Sequence, residues 1–160
     1  MQLPLRTYAF SGSDSVFVVS YEYALGDKVL LWDEFTPNLY RAEFSMTASD
    51  GKDTFADETS ETFGVRDLAT EGTRLTINDR ILFLRGNVNS AEFPITGYPP
   101  MDYDEWFRIL KVCRDYGLNS VRFHSWCPPE AAFEAADRLG LYLQVENSDW
   151  RFTIGTVPEL

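Results

Sequence analysis

The chain has 160 residues, 44% of them hydrophobic and 15% aromatic, which is enough to bury a core and too apolar for a disordered segment. With 14 Lys and Arg against 25 Asp and Glu, the formal net charge of -11 repels phosphate backbones and anionic lipid, so neither nucleic acid nor a membrane is an expected partner. No apolar run reaches the roughly 20 residues of a membrane span.

The opening Met1-Gln2-Leu3-Pro4 lacks the zones of a signal peptide and is read as an internal stretch or a cytoplasmic start, with the compartment left open. Cys113 falls in a helical pattern and Cys127 in a loop, and their spacing suggests neither a disulfide framework nor a metal site. The first half is rich in β-forming runs: Val16 to Tyr23, Leu39 to Thr47, and Thr54-Phe55. Turn signals at Ser11-Gly12-Ser13, Gly26-Asp27 and Ser49-Asp50-Gly51-Lys52 separate them. Tyr40, Ala42, Phe44 and Met46 alternate with Arg41, Glu43 and Ser45, the period of a half-buried strand with its apolar face on a core. Arg74 to Ile77 and Arg80 to Leu84 flank Asn78-Asp79, a hairpin signal without a glycine for the second positive φ.

Near Gly86 the rhythm changes to strand, helix, strand, helix, strand. Trp106, Ile109, Leu110 and Cys113 recur at helical spacing between Asp102 and Tyr116; Asp102 with Glu105 resembles a capping box, and Gly117 supplies a left-handed stop. Leu118 to His124 reads as a strand, Pro128-Pro129-Glu130 opens a helix through Leu139, Gly140 ends it, and Leu141 to Glu146 is a third strand. Two successive βαβ units therefore start from Ile81. They predict a parallel sheet, in a barrel or in an open doubly wound arrangement.

Several segments in order resemble family 2 glycoside hydrolases, the group of β-galactosidases, β-glucuronidases and β-mannosidases. Trp32-Asp-Glu-Phe-Thr-Pro-Asn-Leu-Tyr40 is similar to a segment of the family's sandwich domain, Phe63-Gly-Val-Arg66 to the element that leaves it, and Leu75 to Gly86 to the following hairpin and first barrel strand. Gly117 to Arg122, Ala135 to Tyr142, and Glu146 look like the second strand, second helix and third strand. The resemblance implies an immunoglobulin-like β-sandwich (partial, residues 1–72), then the first three strands and two helices of a (β/α)8 TIM barrel (73–160). This is a multidomain β plus α/β fragment whose partner is the remainder of the parent chain. Asn87 to Pro94 and Phe123 to Pro128 depart from the family's usual runs, with the histidine displaced by one position, so a galactosidase specificity does not transfer.

Barrel enzymes build their sites at the C-terminal ends of the strands. The candidates to bind a carbohydrate substrate are Arg85, Asn87 and Asn89 after strand one, Arg122, His124 and Trp126 after strand two, and Glu146 and Asn147 after strand three. An aromatic face and directional donors suit sugars. The competing readings are structural: an ion pair of Arg85 or Arg122 with Glu146, packing for Trp126, and a hydrogen-bonding role for His124. A lone histidine does not make a zinc site, and no metal or cofactor is expected.

No catalytic residue is assigned within the chain. The resemblance implies glutamates after the fourth and seventh strands, beyond Leu160, acting as nucleophile and acid/base of a retaining, exo-acting hydrolase. Asp102 and Glu105 read as capping residues, Asp104 and Glu130 are poor substitutes, and Glu92 has no visible partner. The fragment is expected to be inactive, and its open barrel arc weakly stable and prone to associate. The alternative function is a non-catalytic carbohydrate-binding or adhesion module. A nucleotide-binding doubly wound domain lacks its glycine motifs here.

Overall fold

The computed structural model describes residues 6–9, 16, 18–20 and 22–148. The turn signal at Ser11-Gly12-Ser13 and the tail from residue 149 lie outside the described residues, as do Phe17 and Tyr21. The described residues of the run from Val16 to Tyr23 form no strand, contrary to expectation.

The first sheet is a long antiparallel hairpin of β1 (Tyr40–Ser49) and β2 (Thr54–Phe63). Its turn is built by Asp50, whose Oδ1 accepts from the Lys52 N–H at 2.9 Å and the Asp53 N–H at 2.7 Å, while Gly51 takes φ 88°. The expected buried face is corrected. Tyr40 and Ala42 are half-buried, but Phe44 and Met46 are exposed. The partner strand places Asp57 opposite Met46 and Glu61 opposite Ala42, so this face is mixed, and β1 and β2 touch only each other among the described elements.

The second sheet contains β3 (Leu68–Glu71), β4 (Arg74–Ile77) and β5 (Arg80–Ile81), all antiparallel. Asn78 at φ 49° and Asp79 at φ 63° both occupy the left-handed region of the expected two-residue hairpin turn. Asn78 repays the strain of that geometry through its side chain, whose Oδ1 accepts from the Asp67 N–H (2.9 Å) and whose Nδ2 donates to the Trp32 carbonyl (3.0 Å). The strand β3 was not foreseen, although Gly72-Thr73, with Gly72 at φ 59°, is a glycine-first hairpin turn.

The third sheet is parallel, in the order β6 (Gly86–Asn89), β7 (Ser120–Phe123), β8 (Tyr142–Val145), with α1 (Tyr103–Asp115) and α2 (Glu130–Leu139) as crossovers. Asp102 caps α1 by accepting from the Glu105 N–H at 2.9 Å. Gly117 at φ 80° and Gly140 at φ 70° close the two helices. The first parallel strand starts at Gly86 rather than Ile81. The chain leaves the antiparallel sheet at Ile81, and Leu82 to Arg85 bridge the two sheets. A side chain at Gly86 would collide with Ser120, so close pairing there requires glycine.

One face of this sheet, carrying Val121 and Phe123, packs on Trp106, Leu110, Ala132, Ala135, Ala136 and Leu141 to form the core. Buried Asn119 ties the entry to the sheet: its Oδ1 accepts from the Arg85 N–H (2.7 Å), its Nδ2 donates to the Phe83 carbonyl (2.9 Å), and its carbonyl accepts from the Tyr142 N–H (2.8 Å). The opposite face opens onto a hollow of about 440 Å³, lined chiefly by Leu68, Leu75, Leu82, Leu84 and Val88.

Candidate functional site

The C-terminal ends of β6, β7 and β8 bring together part of the expected set. Arg122 lies on the face of β7 opposite buried Val121 and Phe123, and its Nε and one terminal nitrogen each lie 2.6 Å from Glu146 Oε1. Glu146 immediately follows β8. Its second oxygen, Oε2, accepts from the Ser125 N–H at 2.9 Å and lies 3.3 Å from His124 Nδ1, which is itself 2.6 Å from the Ser125 hydroxyl. The Ser125 N–H and then the Arg122 guanidinium hold the Glu146 carboxyl below the ordinary glutamate range, outweighing its desolvation. The cluster is thus an ionised carboxylate with both oxygens engaged and an imidazole at its side. It can accept from a hydroxyl-bearing ligand, but it is not a proton donor at neutral pH.

The Ser–His–Glu arrangement is not a nucleophilic triad. Both Ser125 and Glu146 address the same imidazole nitrogen, whereas a triad needs the base to reach nucleophile and carboxylate through opposite nitrogens.

Other sequence-predicted residues are placed differently. Arg85 precedes β6, at the end opposite the cluster, and donates from Nε to the Gly117 carbonyl at 2.9 Å rather than to Glu146. Asn87 lies within β6 beside Val121 and Leu143, on the helix side, where it hydrogen-bonds Cys113. Their expected position after strand one is corrected because that strand begins later than the sequence suggested. Asn89 ends β6 near the cluster, but its Oδ1 is taken by the Ala91 N–H (2.9 Å), while its carbonyl accepts from the His124 N–H (3.0 Å) and the Trp126 indole (3.1 Å).

Trp126 is half-buried in an aromatic cluster, with ring centroids 5.1 Å from Phe123, 6.0 Å from Phe93 and 6.3 Å from Trp106. Asn147 is exposed beside Glu146, and Glu92 is exposed in the loop after β6. Among the described residues no group of three or more His, Cys, Asp or Glu is arranged to hold a metal ion, and no helix is long and apolar enough to cross a membrane.

Sequence reasoning missed Ser125 and Glu34. Ser125 sits at φ 60°, a conformation that a serine does not advertise, and there its N–H meets Glu146. Glu34 is buried where a loop from the first half meets the parallel sheet. Its Oε2 accepts from Arg80 at 2.7 Å and from the Tyr142 hydroxyl at 2.6 Å, and its carbonyl accepts from Arg114. Burial pushes the Glu34 carboxyl up, but the Arg80 and Tyr142 hydrogen bonds outweigh it and leave the group below its ordinary value. The Tyr142 phenol is pushed up, by burial first and by the neighbouring carboxylate second.

No family model matches the chain. It is 28% identical over 117 residues, 73% of its length, to a β-galactosidase of Erwinia tasmaniensis, and 29% identical over 126 residues, 78% of its length, to one of Thermoanaerobacterium thermosulfurigenes. A crystal structure of a Parabacteroides merdae β-glucuronidase matches 74% of the chain with TM-score 0.61 and 27% identity. The chain is similar to family 2 glycoside hydrolases. This glycoside hydrolase-like chain spans 11% and 17% of the two curated relatives and 14% of the matched crystal chain.

Proposed function

We propose that the chain is the sandwich-to-barrel junction of a glycoside hydrolase that cleaves O-glycosidic bonds in carbohydrates by the retaining, double-displacement route, in an exo-acting manner. In this reading residues 1–72 belong to an immunoglobulin-like sandwich and residues 73–160 open a (β/α)8 barrel. Asn89, Arg122, His124, Trp126, Glu146 and Asn147 form one wall of the sugar pocket. The supporting observation is the Arg122, His124 and Glu146 cluster at the ends of adjacent parallel strands, where barrel enzymes assemble their sites. The names of the curated relatives agree with a carbohydrate substrate.

Retaining glycosidases use two carboxyl groups about 5–5.5 Å apart. Glu146 has both oxygens committed to Arg122, Ser125 and His124, so it fits hydroxyl recognition better than nucleophilic attack. The catalytic pair is therefore assigned to later barrel strands, beyond Leu160, and this chain alone is expected to be inactive. Arg85 and Asn87 are left out of the pocket because they face the α1–β7 connection and α1 respectively.

Hydrolysis of a panel of p-nitrophenyl glycosides, by this chain and by a form extended through its natural downstream sequence, tests the reading. Activity in the extended form only is expected. Activity in the short chain would place the catalytic pair within it, and silence in both would favour a carbohydrate-binding module.

A further inference from the structure

Glu34 is a charged side chain only 1% exposed, far from the strand-end cluster in sequence and not used by it. The loop that carries it is tied down by hydrogen bonds. Asp33 Oδ1 accepts from the N–H groups of Phe35 (2.8 Å) and Thr36 (2.7 Å), and the Trp32 indole donates to the Asp137 carbonyl at 2.8 Å. Trp32 also meets the Tyr142 ring edge-on, with centroids 5.4 Å apart. A Cβ at Gly140 would stand 2.9 Å from the Glu34 carbonyl, so the corner between α2 and β8 closes directly on this loop.

Tyr142 is the first residue of β8, and Glu146 follows its last, Val145. Among the described residues β8 pairs with β7 over its four residues. Its first residue is held by the Tyr142 N–H to the Asn119 carbonyl and by the Tyr142 hydroxyl to Glu34. Glu34 is buried while its partner Arg80 is 41% exposed, and the best-attested use of a charge buried in this way is to fix register. A single four-residue extended segment therefore joins Tyr142 to Glu146.

We infer that Glu34 is a positioning residue: through Tyr142 it fixes β8, and with it the Glu146 carboxylate, so that the 32–38 loop sets the geometry of the pocket wall. What Glu146 does for a substrate rests on the proposed function; the coupling between Glu34 and Glu146 does not.

Tyr142→Phe removes only the hydroxyl and keeps the ring against Trp32. His124 is the chain's single histidine, so its imidazole gives one unambiguous NMR signal beside Glu146. In this variant the His124 imidazole resonance and the Ser125 amide resonance are expected to move. Glu34→Gln, which retains an acceptor for the Tyr142 hydroxyl, should leave both near their original positions. Unshifted His124 and Ser125 signals in folded Tyr142→Phe would overturn the inference whatever happens to thermal stability.

In the extended, active form, Tyr142→Phe should lower kcat/KM by roughly tenfold to a hundredfold, the cost of a misplacement near 1 Å. An unchanged kcat/KM would count against the inference. Absence of any glycosidase activity would sink the proposed function alone, because the NMR comparison still decides the coupling.

Discussion

The β1–β2 hairpin and the parallel βαβαβ half both carry apolar patterns, yet only the second uses them to make a core. In the hairpin Phe44, Met46 and Phe55 are more than half exposed, whereas Trp106 and Phe123 in the parallel half are fully buried. The difference lies in what lies opposite. Trp106 has Phe93, Phe123 and Trp126 at ring-contact distance and donates its indole N–H to the Pro100 carbonyl at 2.7 Å. Across the ladder Phe44 faces Thr59, Met46 faces Asp57 and Phe55 faces Ala48, and the two strands meet no second layer among the described elements. Alternation reports which side of a strand is apolar; coverage depends on what packs against it.

The largest test of this contrast pairs one substitution from each region. Trp106→Ala should cost about 3–5 kcal/mol, enough to abolish a cooperative urea transition in a marginal fold, while Phe44→Ala should stay within about 0.5 kcal/mol. Comparable losses at the two positions would show that the hairpin face is covered in solution. Next comes the seam between the halves. Glu34→Ala leaves the half-buried Tyr142 phenol without its acceptor and a half-exposed Arg80 without its carboxylate, a loss of about 1–3 kcal/mol by chemical denaturation. Gly140→Ala forces a left-handed alanine and presses a Cβ against the Glu34 carbonyl, for about 1–2 kcal/mol. If either variant matched the parent chain, the loop would not bear on the corner of β8.

Local chemistry decided how much of this was legible. The start of α1 at Asp102, the stops at Gly117 and Gly140, and the turn at Asn78-Asp79 depend on nearest neighbours, and the structure has them where the sequence placed them. The Arg122–Glu146 pair was foreseen because both lie at the ends of adjacent strands. Arg85 and Asn87 were misplaced because the switch from antiparallel to parallel pairing has no local mark, and a shift in strand start changes both end and face. Glu34 was invisible for another reason. Its partners Arg80 and Tyr142 lie 46 and 108 residues away, and nothing in Trp32-Asp-Glu-Phe distinguishes a buried glutamate from a solvated one.

The smallest effect separates two carboxylates, one in each region. Asp50 in the hairpin turn and Glu146 after β8 are both held below their ordinary values, Asp50 first by the Asp53 N–H and Glu146 first by the Ser125 N–H. A depressed carboxyl contributes stability that is present above the unfolded value and lost as pH falls through the folded one, so both act below about pH 5. Half-buried Asp137, whose carboxyl is pushed up by desolvation, works in the opposite sense and flattens the total acid response. The linkage should nonetheless differ between regions. Glu146 joins β7 to β8 through Arg122, so Glu146→Gln should lower the urea midpoint at pH 7 and converge on the parent curve in acid. Asp50 closes a hairpin whose strands touch only each other among the described elements, so Asp50→Asn should leave the tryptophan-monitored transition unchanged at every pH. A pH-dependent shift in Asp50→Asn as large as that in Glu146→Gln would mean that hairpin and parallel sheet unfold as one unit.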